Sequence, residues 1–343
     1  MLKKPEKLQS GDKIATISPS SGAAGDPDTR WRYEQGVERL RNEFGLEVVP
    51  MPNSLKGADY LYENPKARAE DLMTAFKDDR IKGIIANVGG KDCIQLLPYI
   101  DLHVISENPK VFMGYSDITI PHLLMVKAGI SSFYGPNILT DFAENVEMNA
   151  YTIDMVKRVL FSNETIGEIR PADEWAVEVL EWDEADKHQP LTMLPNPGYE
   201  CLQGSGVVKG RLIGGCMDVL ETAKGTKIWP ELEYWKDSIL FLEVADGTLE
   251  PERIKSWLRN YAAQGILQMT NGIIFGKPQD EKYYDDYKEV IQEVMKENGL
   301  ENLPVLFDLN FGHTKPKTVL PYGAMAEIHC TQETFSILES GVE

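Results

Sequence analysis

Ser116 sits in "VFMGYSDIT", where an apolar run reaches a glycine and then turns polar before a helical stretch. A serine at such a junction either caps a helix or stands as a nucleophile at a strand end. A serine nucleophile needs a base to take its proton. The chain offers five histidines. His103 and His329 lie in apolar alternation and read as core or surface residues. His122 is too close to the helix start to fold back on Ser116, and His188 lies in a polar connection. His313 follows an apolar strand and a glycine in the loop "NFGHTKP", the kind of position from which function is delivered. A base histidine needs an acid to fix its tautomer. Glu243, ending "ILFLE", and Asp308, interrupting "LFDLN", both meet the need, since a carboxylate at a buried strand demands a partner. Acyl chemistry also needs donors for an oxyanion. The Asp117 amide at a helix start is one source, and the Gly89–Gly90 turn, with no Cβ in the way, is another. The α/β-hydrolase elbow G-x-S-x-G is disfavoured, because "GYSDI" has Ile118 in the last place.

The elements that must position these residues alternate over the first half of the chain. Strands are predicted at 13–20, 46–51, 82–90 and 110–116, with helices at 29–44, 67–79 and 117–130 between or after them. This predicts an α/β protein with a parallel sheet covered on both faces, and ligands beyond the carboxyl ends of its strands. Gly89–Gly90 and Ser116 fall at such ends. After a helix at 151–161 the pattern changes to a polar, proline-bearing connection. The second half mixes short strands with helices at 250–265 and 283–299. The expected division is a nucleophile domain over 1–168 and a mixed α/β domain over 169–343, with a loop at about 172–200.

Composition sets outer limits. With 343 residues, 42% apolar content and a formal charge of −19, the chain can bury a large core and is a poor partner for nucleic acid. The start, "MLKKPEKLQSGDK", has no apolar stretch to form a signal peptide, and no run is long enough to span a bilayer. The four cysteines (Cys93, Cys201, Cys216, Cys330) show no metal-ligand or disulfide spacing. The expectation is a cytoplasmic protein with reduced thiols, no metal and no cofactor.

Six ordered pieces, "ISPSSG", "GGKDCIQLLPYID", "MGYSDIT", "GRLIGGCMDVL", "LFLEVAD" and "PVLFDLNFGHT", resemble the LD-carboxypeptidase family of serine peptidases over nearly the whole chain. The resemblance implies an N-terminal domain similar to class I glutamine amidotransferases, a C-terminal mixed domain and a homodimer. It implies Ser116 as nucleophile, His313 as base and Glu243, not Asp308, as its orienting acid. It assigns the oxyanion to the amides of Gly90 and Asp117, with Gly89 beside the substrate. Murein-trimming members typically carry "GGYG" and an arginine at the glycine turn, where this chain has "GGKDCIQ". The loop "ADEWAVEVLEWDEADKHQP" resembles instead the microcin C self-immunity branch, whose aromatic loop stacks on a nucleobase. Trp182 is the expected stacking ring and Trp175 the expected second one. A small-molecule substrate is implied: an aminoacyl or peptidyl nucleotide, or alternatively a murein tetrapeptide losing its terminal D-amino acid. A glutamine amidotransferase would need cysteine where Ser116 stands, and a non-catalytic binding protein would need a damaged triad.

Overall fold

The computed structural model describes residues 2–177, 181–245, 249–279 and 282–343. Residues 178–180 of the aromatic loop and Asp246 of "LFLEVAD" lie outside them. The first half supplies β1 (Lys13–Ile17), β2 (Glu47–Pro50), β3 (Ile81–Ala86), β4 (Val111–Gly114) and β5 (Phe133–Tyr134). The connection and second half supply β6 (Gly167–Ile169), β7 (Glu174–Ala176), β8 (Met193–Pro195), β9 (Glu200–Gln203), β10 (Val207–Cys216), β11 (Ser238–Glu243), β12 (Gly272–Gly276), β13 (Val305–Leu309), β14 (Leu320–Pro321), β15 (Met325–His329) and β16 (Thr334–Ile337).

One sheet runs β14-β5-β4-β3-β1-β2, parallel from β5 to β2. Its strands are near-continuous apolar runs because helices cover both faces. The other runs β6-β16-β15-β10-β11-β12-β13-β9, with a parallel centre, β10 to β13, and antiparallel flanks. The two sheets borrow from each other's halves of the chain. β14 pairs with β5, and β6 pairs with β16. The expected boundary at 168/169 therefore falls inside β6. Both large apolar clusters contain residues from either half.

The run "DCIQLLPYI", which reads in the sequence as a short helix, is a 3₁₀ helix over Cys93–Tyr99 with Pro98 inside it, since proline lacks the amide an α-helix needs. One expectation needs correction. The cysteines are not all reduced: Cys201 and Cys330 are joined, 129 residues apart. Three residues, 204–206, return the chain from β9 to the start of β10, where β15 also pairs, and Cys330 donates its amide to Gly206 O. The sheet thus curls until its far strand meets the end of β15. Spacing along the chain carries no trace of that closure. Cys93 and Cys216 are free and buried. Among the described residues no helix is long and apolar enough to cross a membrane.

Candidate active site

The serine is delivered by β4, buried along its length. Tyr115 continues extended, and Ser116 then turns into the left-handed region at φ 66°. A side chain there costs on the order of 1–3 kcal/mol and persists only when its surroundings hold it. Two bonds do so. The Ser116 amide donates to the Tyr134 oxygen at 3.1 Å, and Thr119 Oγ1 donates to Ser116 O at 2.8 Å. A one-turn 3₁₀ helix over Ser116–Ile118 and the helix Thr119–Ala128 follow. The serine therefore sits at both a strand end and a helix start.

The second sheet supplies the other two groups. Glu243 is the last residue of β11 and is 1% exposed. His313 stands in the loop after β13, two residues past Phe311. Its Nδ1–H donates to Glu243 Oε2 at 2.7 Å, and its Nε2 faces Ser116 Oγ at 3.1 Å. A carboxylate only accepts, so Nδ1 carries the proton and Nε2 keeps the lone pair toward the serine. Gly312 makes room for this. With φ 86°, a Cβ there would stand 2.5 Å from Glu243 Cγ. Burial alone would push the Glu243 carboxyl up. The His313 charge and the hydrogen bonds from His313 and Tyr134 outweigh it and hold Glu243 below the usual glutamate range.

Sequence reasoning missed Tyr134 and the residues behind the glycine turn. Tyr134 is fully buried on β5 and donates its hydroxyl to Glu243 Oε1. The Asp117 carboxylate does not face the reacting atoms. It accepts from Ser20 Oγ at 2.5 Å and from the Cys93 amide at 2.8 Å. Arg68, also buried, donates to Pro19 O at 3.0 Å and Asp92 O at 3.1 Å. These bonds press the Ser20 loop and the glycine turn against the serine. A Cβ on Gly89 would lie 2.8 Å from Ser116 Cβ, so only glycine allows the approach. The amides of Gly90 and Asp117 donate to no acceptor among the described residues. "ISPSSG" was the signal that could have pointed to Ser20. Nothing in "SSFYGP" distinguishes Tyr134 from a core aromatic.

The other candidates fall elsewhere. Asp308 forms a buried pair with Lys277 at 2.6 Å, away from His313. His122 is locked between Gly114 O at 2.9 Å and Ser132 Oγ at 2.8 Å. The tryptophans part company. Trp175 is 2% exposed, with Lys277 Nζ 4.2 Å from its ring centroid. A second stacking ring is therefore not available at Trp175, because β7 turns it into the core. Trp182 is half-buried: its carbonyl accepts from Trp31 Nε1 at 3.2 Å, and Arg32 lies 5.4 Å from its ring. A cavity of about 640 Å³ runs along the same loop, walled by Glu144, Tyr151, Asp173, Leu191 and Lys315. No group of residues among those described has the make-up of a metal site.

Comparison with known proteins agrees with this architecture. The sequence profile of the LD-carboxypeptidase N-terminal domain matches residues 14–135, and that of the LD-carboxypeptidase C-terminal domain matches 209–328. The chain is 29% identical to the microcin C7 self-immunity protein MccF of Escherichia coli, covering 97% of this chain and 94% of that one. It is 27% identical to a probable murein peptide carboxypeptidase of Bacillus subtilis, covering 99% and 95%. Among solved structures, an MccF-like protein of Streptococcus pneumoniae in complex with AMP superposes with a TM-score of 0.88 at 33% identity, covering 95% of this chain and 98% of that one. MccF in complex with aspartyl sulfamoyl adenosine gives 0.86 at 26%, covering 99% of each chain.

Proposed function

Since the chain belongs to the LD-carboxypeptidase family and is a serine peptidase, we propose that it cleaves the bond between an aminoacyl or peptidyl carbonyl and a nucleotide-like leaving group. The observation that carries the reading is the unbroken line Ser116 Oγ–His313–Glu243, with 3.1 Å and 2.7 Å steps.

In this reading Ser116 Oγ attacks the carbonyl carbon as its proton passes to His313 Nε2. Glu243, kept ionised, stabilises the imidazolium. The amides of Gly90 and Asp117 receive the oxyanion. His313 then protonates the leaving group, and water, deprotonated by the same histidine, releases the acyl group and restores the serine. The two sheets divide the work: the first carries nucleophile and oxyanion donors, the second carries acid and base. Trp182 is the proposed platform for the leaving group's base. The AMP and the aspartyl sulfamoyl adenosine held by the structural relatives support this substrate class.

A second reading is favoured by the murein peptidase relative: removal of a terminal D-amino acid from a tetrapeptide. One assay separates them. Purified protein and its Ser116→Ala variant are given aspartyl sulfamoyl adenosine or an L,D-linked murein tetrapeptide, with products read by mass spectrometry. Release of sulfamoyl adenosine, falling roughly 10⁴–10⁶-fold in Ser116→Ala, is the expected result. Release of D-alanine alone would transfer the enzyme to the second reading. Undiminished turnover by Ser116→Ala would remove the serine from the mechanism.

A further inference from the structure

The hydrogen bonds around the site close into a ring. Ser116 Oγ faces His313, His313 bonds Glu243 Oε2, Tyr134 bonds Glu243 Oε1, and the Ser116 amide bonds Tyr134. We propose that Tyr134 is a positioning residue of the reaction: it fixes Glu243 against the nucleophile's own peptide and sets the basicity of His313. The proposal rests on the triad reading above.

Proton direction is determined at each link. The Tyr134 hydroxyl has one proton, and the carboxylate, which only accepts, receives it. A tyrosine oxygen lone pair then takes the Ser116 amide. Among the described residues each Glu243 oxygen thus has one donor, one from each sheet. Burial keeps the Tyr134 hydroxyl protonated far beyond neutral pH, with the Glu243 charge acting in the same direction. Tyr134 is 0% exposed, so it acts through Glu243 and not on substrate. Its ring is held by Phe241 at 5.5 Å and His122 at 5.7 Å between centroids, contacts that phenylalanine would keep. Loss of the hydroxyl would leave Glu243 Oε1 with one donor fewer and concentrate its charge on His313. It would also leave the Ser116 amide, at a strained φ, unanchored.

The experiment compares wild type with Tyr134→Phe. One readout is ¹³C NMR titration of histidine Cε1, with His313 assigned by its absence in His313→Gln. The other is turnover of aspartyl sulfamoyl adenosine and of the L,D-tetrapeptide. The expected result is a rise in the His313 midpoint of roughly half to one pH unit. With it comes a roughly 10- to 100-fold fall in kcat, while KM stays within about twofold. A residue that only packed would lower thermal stability without moving the midpoint. An unchanged midpoint with wild-type kcat would overturn the proposal. Should Tyr134→Phe not fold, 2,3-difluorotyrosine at 134, a stronger donor, must move the midpoint downward; no movement would overturn the proposal equally. The two readings fail differently. If Ser116→Ala turns over substrate, the triad is wrong. If neither substrate is cleaved but the midpoint shifts, only the substrate class is wrong.

Discussion

At the scale of single residues, the site depends on what is missing as much as on what is present. Gly312 carries no Cβ where one would stand 2.5–2.6 Å from three atoms of Glu243. Gly312→Ala should push the carboxylate off His313 and lower kcat at least 10²-fold, because displacement of about 1 Å is enough to do so. Steady-state kinetics on the proposed substrate would check it, and activity within threefold of wild type would contradict it. Trp182 makes a different prediction. If its ring carries a nucleobase, Trp182→Ala should raise KM for the adenylate roughly 5- to 100-fold and leave peptide turnover alone. Equal effects on both substrates would make it a packing residue. The candidate positions were partly legible in the sequence. Ser116 and Glu243 end apolar runs, a placement that is costly for a carboxylate without a partner, and His313 lies in the loop after one. Asp308 met the same test as Glu243, and only the family resemblance separated them. Tyr134 was not legible, since an aromatic inside an apolar strand reads as core and only the fold shows where its hydroxyl points.

At the scale of elements, the strand–helix alternation of the first sheet could be read directly, because buried parallel strands and amphipathic helices have different periods. What escaped were the elements too short for any period, the two-residue β14 above all. The helix Thr119–Ala128 carries a further prediction. It buries His122 completely, and burial pushes its imidazole down to about 3 from the ordinary 6.5. The unfolded chain therefore binds a proton in that window that the folded chain refuses, so stability falls as pH drops from about 7 toward 3. By pH 4.5 the loss attributable to His122 is roughly 2.5 kcal/mol. Asp71 works the other way. Burial raises its carboxyl to about 6, so the folded form gains protons first as pH falls and recovers stability. The wild-type curve alone thus conceals both. In urea unfolding at pH 7.5 and 4.5, the stability gap between wild type and His122→Gln should shrink by roughly 2–3 kcal/mol at the lower pH. Parallel behaviour at the two values would mean that His122 titrates normally.

At the scale of the whole molecule, the disulfide closes a loop of 129 residues that contains both Glu243 and His313. Loop-closure entropy for that length gives a ceiling of about 5 kcal/mol. Reduction, or Cys201→Ser, should accordingly lower Tm by roughly 5–10 °C. Differential scanning calorimetry with and without reductant would show it. An unmoved Tm would mean that the cross-link adds nothing to folding. No spacing in the sequence could have announced this bond, because its partners meet only after the six strands from β15 to β9 have curled into place.

The late position of β14 has a consequence for how the enzyme is made. Leu320–Pro321 forms the outer edge of the sheet that carries the serine, although the rest of that sheet is complete by residue 134. On the ribosome, a nascent chain would hold β5 as an open edge for nearly two hundred residues of synthesis. His313, the proposed base, would emerge only a few residues before the sheet's final strand. Edge and proposed base arrive together, so a chain released early is exposed to aggregation and lacks the histidine that faces Ser116 Oγ.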